Sequence, residues 1–395
     1  MNDIKNLLYG ELSKLKTPAF IVDENLLAEN MRIVQHIKKA TGCKILLALK
    51  AFAMFEVFPL LRETLDGVCA SSPHEARLGR EEFKKEVHVF AAAYSDEDFK
   101  QLLKYADHID FNSFAQFEKF KDYVKKYSNK ISFGLRVNPE HSEAPVPLYD
   151  PCAKYSRLGI RAVDFKDADL TGIEGLHFHT LCEQDSPALA RTLAAFEEKF
   201  AFCLSGTSHR KGFNSLKWVN FGGGHHLTRE GYDIDLLCRL IVDFQKKYKL
   251  EVYLEPGEAI ALNAGFLAAR VLDIVNNEIQ IAILDASAAA HMPDVLEMPY
   301  RPDIVNSDMP NVKKHTYRLA GHSCLAGDTI GDYSFDEPLK AGDMIILKDM
   351  AHYSMVKTNT FNGLALPSIN VIKEKTKKIK TVKKFWYRDF KGRLS

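Results

Sequence analysis

Ile45–Lys50 reads ILLALK, five apolar residues closing on a lysine. A short, uninterrupted apolar run suits a strand buried on both faces, as in parallel sheets. Seven more such runs follow, each closed by a polar or small-residue turn: Gly67–Ser72 (GVCASS), Val87–Ala92 (VHVFAA), His108–Ser113 (HIDFNS), Ser132–Pro139 (SFGLRVNP), Gly172–Thr180 (GIEGLHFHT), Lys217–Gly224 (KWVNFGGG) and Val252–Gly257 (VYLEPG). Helical stretches lie between them, among them Tyr232–Tyr248 and Ser95–Ala106, which opens on a serine cap and an acidic first turn. Strands alternating with helices imply parallel pairing. Eight units over about 230 residues match a (β/α)8 barrel, typically ~250 residues. An open doubly wound sheet could also hold eight strands, but it often carries a glycine fingerprint for a nucleotide after its first strand, and none stands here.

Beyond Ala261 the texture changes. Val271–Ala286, Met344–Leu347 and Tyr353–Val356 read as strands, punctuated by turn signals at Ala341-Gly342-Asp343 and Phe361-Asn362-Gly363. The expected architecture is α/β: a TIM-like (β/α)8 barrel over residues 24–265, with residues 1–23 and 266–395 in an all-β domain of sandwich or barrel type. A chain of 395 residues is also too long for one ordinary core.

With 53 basic and 52 acidic side chains the net charge is +1, which lacks the concentrated basic footprint of a nucleic-acid binder. The one basic run, Lys373–Lys384 (KEKTKKIKTVKK), reads as an exposed hairpin. No run approaches the ~20 apolar residues that span a bilayer, so no membrane association is expected. Met1–Lys16 has no long apolar core or small-residue cleavage site, so a signal peptide is not expected either. Seven cysteines without a CxxC pair suit a reducing compartment, and a cytoplasmic location is expected.

In such a barrel the residues at the C-terminal strand ends form the active site. Here they are Lys50, Arg136, His177 and His179, Gly222–Gly224, and Glu255 with Glu258. Lys50 reads either as a snorkelling strand terminus or as a Schiff-base lysine whose amine is activated by partial desolvation. The three glycines after strand seven make a tight turn, or let backbone N–H groups approach a phosphate. His177 and His179 are two apart, hence on one side of a strand, and read as packed histidines or as a metal pair. Barrel metal hydrolases, however, place HxH on the first strand and Asp on the eighth. Glu255 needs a partner if buried: a neighbouring cation, or a protonated pyridine nitrogen. At ~4 Å and an effective dielectric of about 20 that pyridine contact gives roughly 4 kcal/mol. This amounts to about three pKa units, enough to keep a ring protonated as an electron sink.

Taken together, these motifs resemble the fold-type III pyridoxal-phosphate enzymes, the group of alanine racemase, ornithine decarboxylase and diaminopimelate decarboxylase. The resemblance runs from Thr17 to the C-terminus and is carried by LLALKAF (Leu46–Phe52), HFHTLCE (His177–Glu183), NFGGG, EPGE, GHSCLAGD (Gly321–Asp328) and AHYSMVKTNTFNG (Ala351–Gly363), in order. It implies pyridoxal 5'-phosphate held by Lys50, with His179 stacked on the ring and Arg136 near its phenolic side. Glu255 would face the ring nitrogen, and Gly223, Gly224 and Tyr353 the phosphate. It also implies a homodimer with shared active sites, in which Cys324 from the partner protonates Cα after CO2 leaves. Such general-acid steps contribute ~10²–10⁴ in rate.

Three departures narrow the substrate. Leu325 follows the cysteine where relatives carry an amine-binding Asp or Glu. Glu258 stands where EPGR relatives carry Arg. DASAAAHMPD (Asp285–Asp294) adds a further acid. Extra carboxylates suit extra ammonium groups, and GLHFHTLCE, EPGEA, HMPD and CLAGD look most like the carboxynorspermidine decarboxylases, a family that also accepts carboxyspermidine. Glu258, Asp294 and Asp328 are the expected substrate contacts. The alternatives are a diaminopimelate or other basic amino-acid decarboxylase of the same fold and, further off, a barrel metal hydrolase using His177 and His179. On the favoured reading no metal is expected.

Overall fold

The computed structural model describes residues 12, 15–165, 168–204 and 216–395, so most of Met1–Lys16 lies outside them. Residues 30–50 and 54–260 form one compact unit; residues up to 29, 51–53 and 261–395 form the other.

The first unit is a closed parallel barrel. Its strands are β1 (Lys44–Ala48), β2 (Gly67–Ala70), β3 (Glu86–Phe90), β4 (His108–Phe111), β5 (Ser132–Asn138), β6 (Ile173–His177), β7 (Trp218–Asn220) and β8 (Glu251–Leu254). Each pairs with the next, and β8 with β1 closes the ring. All eight expected strands are present. Four of the barrel's helices begin where the sequence offers a side-chain oxygen. Ser72, Ser95, Ser113 and Asp233 accept from the backbone N–H of Glu75, Asp98, Gln116 and Leu236, filling orphan donors of each first turn.

Leu46, Trp218 and Tyr253 pack together in the barrel. Trp218 fits because its neighbours have no side chain: a Cβ on Gly175 would lie 2.1 Å from its indole, and one on Gly134 2.5 Å. At the strand starts, Lys44 Nζ is 2.7 Å from Glu86, and the rings of His88 and His108 stack at 3.8 Å. That ammonium among Glu86, His88 and His108 opposes a metal ion there. The chemistry belongs to the other end, as the barrel's strand direction dictates.

The second unit is a mixed sheet. Ala19–Asp23 runs parallel to Ser368–Ile372 and antiparallel to Gly265–Asn277. Two sequence expectations are corrected here. Val271–Ala286 is not one strand: Gly265–Asn277 and Ile279–Leu284 form a hairpin, because Glu278 turns the chain at φ 62° inside the polar run Asn276-Asn277-Glu278. Tyr353–Val356 is a helical turn rather than a strand. Four residues are too few for periodicity to separate the two. The basic run does form a hairpin, Ser368–Ile372 against Ile379–Lys383. Among the described residues no helix is long and apolar enough to cross a membrane.

Candidate active site

In the barrel unit the predicted residues gather at the C-terminal strand ends. Lys50 lies just past β1 and is exposed. Arg136 on β5 is 6% exposed, donates from Nη2 to the His179 carbonyl oxygen at 3.3 Å, and lies 4.4 Å over the Phe90 ring. Burial lowers its pKa to about 10, opposed by the charge of Glu255.

Glu255, just past β8, is 8% exposed. Its Oε1 accepts from Asn220 Nδ2 at 2.7 Å, and Asn220 Oδ1 accepts from the Gly222 N–H at 2.8 Å. One asparagine thus braces both the carboxylate and the glycine turn. His177, at the end of β6, places Nδ1 3.0 Å from Asp110 Oδ2 and Nε2 3.6 Å from Glu255 Oε2. Burial pushes His177 down to about 4 and Asp110 up to about 8, so each favours its neutral form.

His179 lies beyond the end of the strand. Its Nδ1 accepts from the Gly223 N–H at 2.8 Å, which puts any proton of the neutral ring on Nε2. Burial, then the charges of Lys50 and Arg136, hold it well below the usual imidazole range. The Gly223 N–H, expected on the phosphate, is therefore engaged by His179 in this structure. The glycines are forced by close approach: a Cβ on Gly222, Gly223 or Gly224 would come within 2.5 Å of a backbone oxygen, of Phe178, Glu255 or Leu181 respectively. Gly222 and Gly224 also take φ of 72° and 82°, where a side chain is strained. Glu258 starts the helical turn Glu258–Ala261, with Oε1 3.4 Å from His226 Nε2.

In the second unit, Cys324 is exposed, and its N–H donates to Asn362 Oδ1 at 2.6 Å. Asn362 takes φ 56°, so the FNG turn holds the cysteine loop. Asp328 is 3% exposed; its oxygens accept from Ser287 Oγ at 2.8 Å and from the N–H groups of Ser323 and Ala289, both at 3.2 Å. Those contacts brace the same loop. Asp294 is 8% exposed; its Oδ2 accepts from Tyr300 Oη at 2.6 Å and Ser354 Oγ at 2.9 Å, while its buried Oδ1 has no partner among the described residues. Tyr353 is half-buried at the start of its helical turn.

Sequence reasoning missed Asp110, Asn220, His226 and Asn362. The signal existed for two of them: Asp110 is an acid inside the apolar strand HIDF, and Asn220 closes the apolar run before the glycines.

This arrangement suits pyridoxal phosphate. The barrel offers an open amine at a strand end, a glycine turn without room for a Cβ, a buried carboxylate braced on one oxygen, and a neutral imidazole. His177, His179 and Glu255 also bring ligand atoms within 4.8 Å of one another, as a metal pair would. Fold and site define a barrel-plus-sheet enzyme of pyridoxal-phosphate type, and comparison with known proteins agrees. Residues 19–351 match the family described as "Pyridoxal-dependent decarboxylase, C-terminal sheet domain". A carboxynorspermidine/carboxyspermidine decarboxylase of Campylobacter jejuni is 42% identical, covering 95% of this chain and 98% of that protein. A carboxyaminopropylagmatine decarboxylase of Synechocystis is also 42% identical, covering 97% and 96%. The crystal structure of the Campylobacter jejuni carboxynorspermidine decarboxylase complexed with norspermidine matches with a TM-score of 0.88 at 41% identity, over 96% of this chain and 100% of that one. The chain belongs to the pyridoxal-dependent decarboxylases. It is a carboxy-lyase whose cofactor is pyridoxal 5'-phosphate, and the metal-hydrolase alternative falls away with that assignment.

Proposed function

We propose that this chain decarboxylates carboxynorspermidine and carboxyspermidine, taking up one proton at Cα and releasing CO2 to leave norspermidine and spermidine. The observation that carries this reading is 42% identity to a decarboxylase of that name across nearly the full length of both proteins. The acid pattern supports it: Leu325 follows the cysteine, and Glu258 and Asp294 are added carboxylates that suit a chain of ammonium groups. The diaminopimelate alternative rests on relatives of only 20–24% identity.

Lys50 holds the cofactor, which when bound supplies an electron sink for breaking the carboxylate bond. Glu255 would face the ring nitrogen, His179 the ring face and Arg136 the phenolic side; Gly224 and Tyr353 would serve the phosphate, and Gly223 would join them once its N–H leaves His179 Nδ1. Glu258 and Asp294 pair with the distal ammonium groups, since a desolvated ammonium without a partner costs several kcal/mol. Cys324, delivered by a second copy of the chain, holds the proton that goes to Cα. The exposed apolar side chains Leu325 (44%), Phe361 (44%), Trp386 (59%) and Tyr387 (73%) support a homodimer that covers them. Seven free cysteines suit a cytoplasmic enzyme.

The test is CO2 release from carboxynorspermidine, carboxyspermidine, carboxyaminopropylagmatine, diaminopimelate and ornithine. The two carboxylated triamines should show the highest kcat/KM. A higher value on carboxyaminopropylagmatine would move the assignment to a guanidinium-bearing substrate, and one on diaminopimelate would overturn the polyamine reading.

A further inference from the structure

The reaction as derived uses Glu255 but not the groups behind it. Asp110 on β4 and His177 on β6 are 5% and 1% exposed and, among the described residues, hydrogen-bond neither Lys50 nor the glycine turn. Buried ionisable groups are costly unless they are paired, so a buried acid and a buried imidazole at 3.0 Å need a proton arrangement that satisfies both. His177 Nε2 is fully buried, has no hydrogen-bond partner among the described residues, and lies 3.6 Å from Glu255 Oε2. That distance is long for a hydrogen bond, as active-site contacts often are before ligand binds. Glu255 Oε1 is already taken by Asn220, which leaves Oε2 as the acceptor facing the imidazole.

We propose that Asp110 and His177 are positioning residues for the ring nitrogen of the cofactor, acting through Glu255: Asp110 Oδ2–H donates to His177 Nδ1, and His177 Nε2–H donates to Glu255 Oε2. The opposite arrangement, an Asp110 anion accepting from Nδ1–H, would turn the Nε2 lone pair against a carboxylate oxygen. The surroundings agree. Arg136, Lys50, His179 and His88 are the charged or titratable groups around His177 besides its two partners, and the Cys69 thiol lies in hydrogen-bonding contact with Glu255. The cations disfavour an imidazolium, and burial favours the neutral acid.

The consequence is chemical. A proton shared between a pyridine nitrogen and a carboxylate stays on nitrogen only if the carboxylate is the weaker base. A hydrogen bond donated to Glu255 from behind lowers its basicity and fixes its plane. Without that donor the shared proton moves toward Glu255, and the ring loses its strength as an electron sink.

The inference rests on the assignment of Glu255 to the ring nitrogen, and the test separates the two. Apoenzyme affinity is measured for pyridoxal phosphate and for its 1-deaza analogue, which lacks that nitrogen; the ratio isolates the Glu255 contact from general binding. Glu255→Gln alone should collapse the ratio; if it does not, the assignment of Glu255 fails. His177→Met, which has similar reach but no donor, leaves the plane of the Glu255 carboxylate unfixed and should lower the ratio about tenfold, the scale of one misaligned hydrogen bond. His177→Gln, whose amide N–H reaches toward Glu255, should retain it. Asp110→Asn keeps a donor for Nδ1 and should retain the ratio, whereas Asp110→Leu should lose it. In the Glu255→Gln background neither loss should add anything. A purely structural role would lower both affinities together and leave the ratio unchanged. That result, or equal behaviour of His177→Gln and His177→Met, overturns the proposal.

Discussion

Asp294→Asn tests substrate recognition with little disturbance elsewhere. Asp294 Oδ2 accepts hydrogen bonds from Tyr300 and Ser354, and the single oxygen of an asparagine can take both. What changes is the other oxygen. Buried Oδ1 has no partner among the described residues, and the amide puts an N–H donor where the proposed substrate ammonium would need an acceptor. Stability should therefore move by no more than about 1 kcal/mol, the scale of one neutral hydrogen bond. Binding should move much more, because truncating one side of a buried charged hydrogen bond costs ~2–5 kcal/mol. At about 1.4 kcal/mol per factor of ten, kcat/KM on carboxynorspermidine should fall roughly 30-fold or more. The assay is CO2 release under kcat/KM conditions, with thermal unfolding and bound-cofactor absorbance as controls. Both controls should match the wild type, since Glu255 and not Asp294 is assigned to the ring. Wild-type kcat/KM in a folded, cofactor-loaded variant would refute the ammonium contact. An equal loss on diaminopimelate would show that the residue does not serve the polyamine chain.

Other perturbations probe separate parts of the molecule. Lys50→Ala should lose the lysine-bound cofactor band and its activity, and Cys324→Ala should bind cofactor yet turn over slowly; mixing the two should restore part of the activity through hybrid dimers. Inactive mixtures in which heterodimers demonstrably form would refute the shared site. Asn362→Gly should lose only the hydrogen bond to Cys324, about 1 kcal/mol, whereas Asn362→Ala should lose a further ~1–2 kcal/mol because alanine resists the left-handed conformation. Equal unfolding midpoints for the two would refute that account. Burial depresses His88, His177, His179, His225 and His291 in the cofactor-free protein. The unfolded chain therefore binds protons first as pH falls through 6.5, and their stability contribution, complete above that pH, drains toward pH 4. Each histidine accounts for about 1.36 kcal/mol per pH unit. Asp110, raised to about 8, works the other way and offsets one of them. A flat apoenzyme Tm between pH 7 and pH 5 would contradict this.

The barrel was legible because each of its strands is a local signal. Parallel strands buried on both faces are apolar without interruption, and capping oxygens follow several of them within a few residues. The sheet unit was harder to read. The hairpin at Glu278 hides in a polar run that a long edge strand could also carry, and Tyr353–Val356 owes its helical turn to its surroundings rather than its pattern. The site divides along the same line. Lys50, the glycines and Glu255 lie in short motifs, whereas Asp110 lies 67 residues from His177 and is its neighbour only because β4, β5 and β6 stand side by side in the ring.

The two histidines carry this point furthest. Spacing of two predicts that they share a side, and both do come within reach of a common point with Glu255. Spacing cannot see that β6 ends at His177. At the end of the strand, His177 meets the acid of β4, reached across β5; two residues later, outside the ladder, His179 accepts from the backbone of the glycine turn. The hydrogen bond each ring accepts decides which nitrogen carries its proton, and hence its chemistry. A metal would need lone pairs from both rings turned to one centre. Here the His179 Nδ1 accepts from the Gly223 N–H and, in the arrangement proposed above, the His177 Nδ1 accepts from Asp110, so neither ring would turn a free lone pair to a metal.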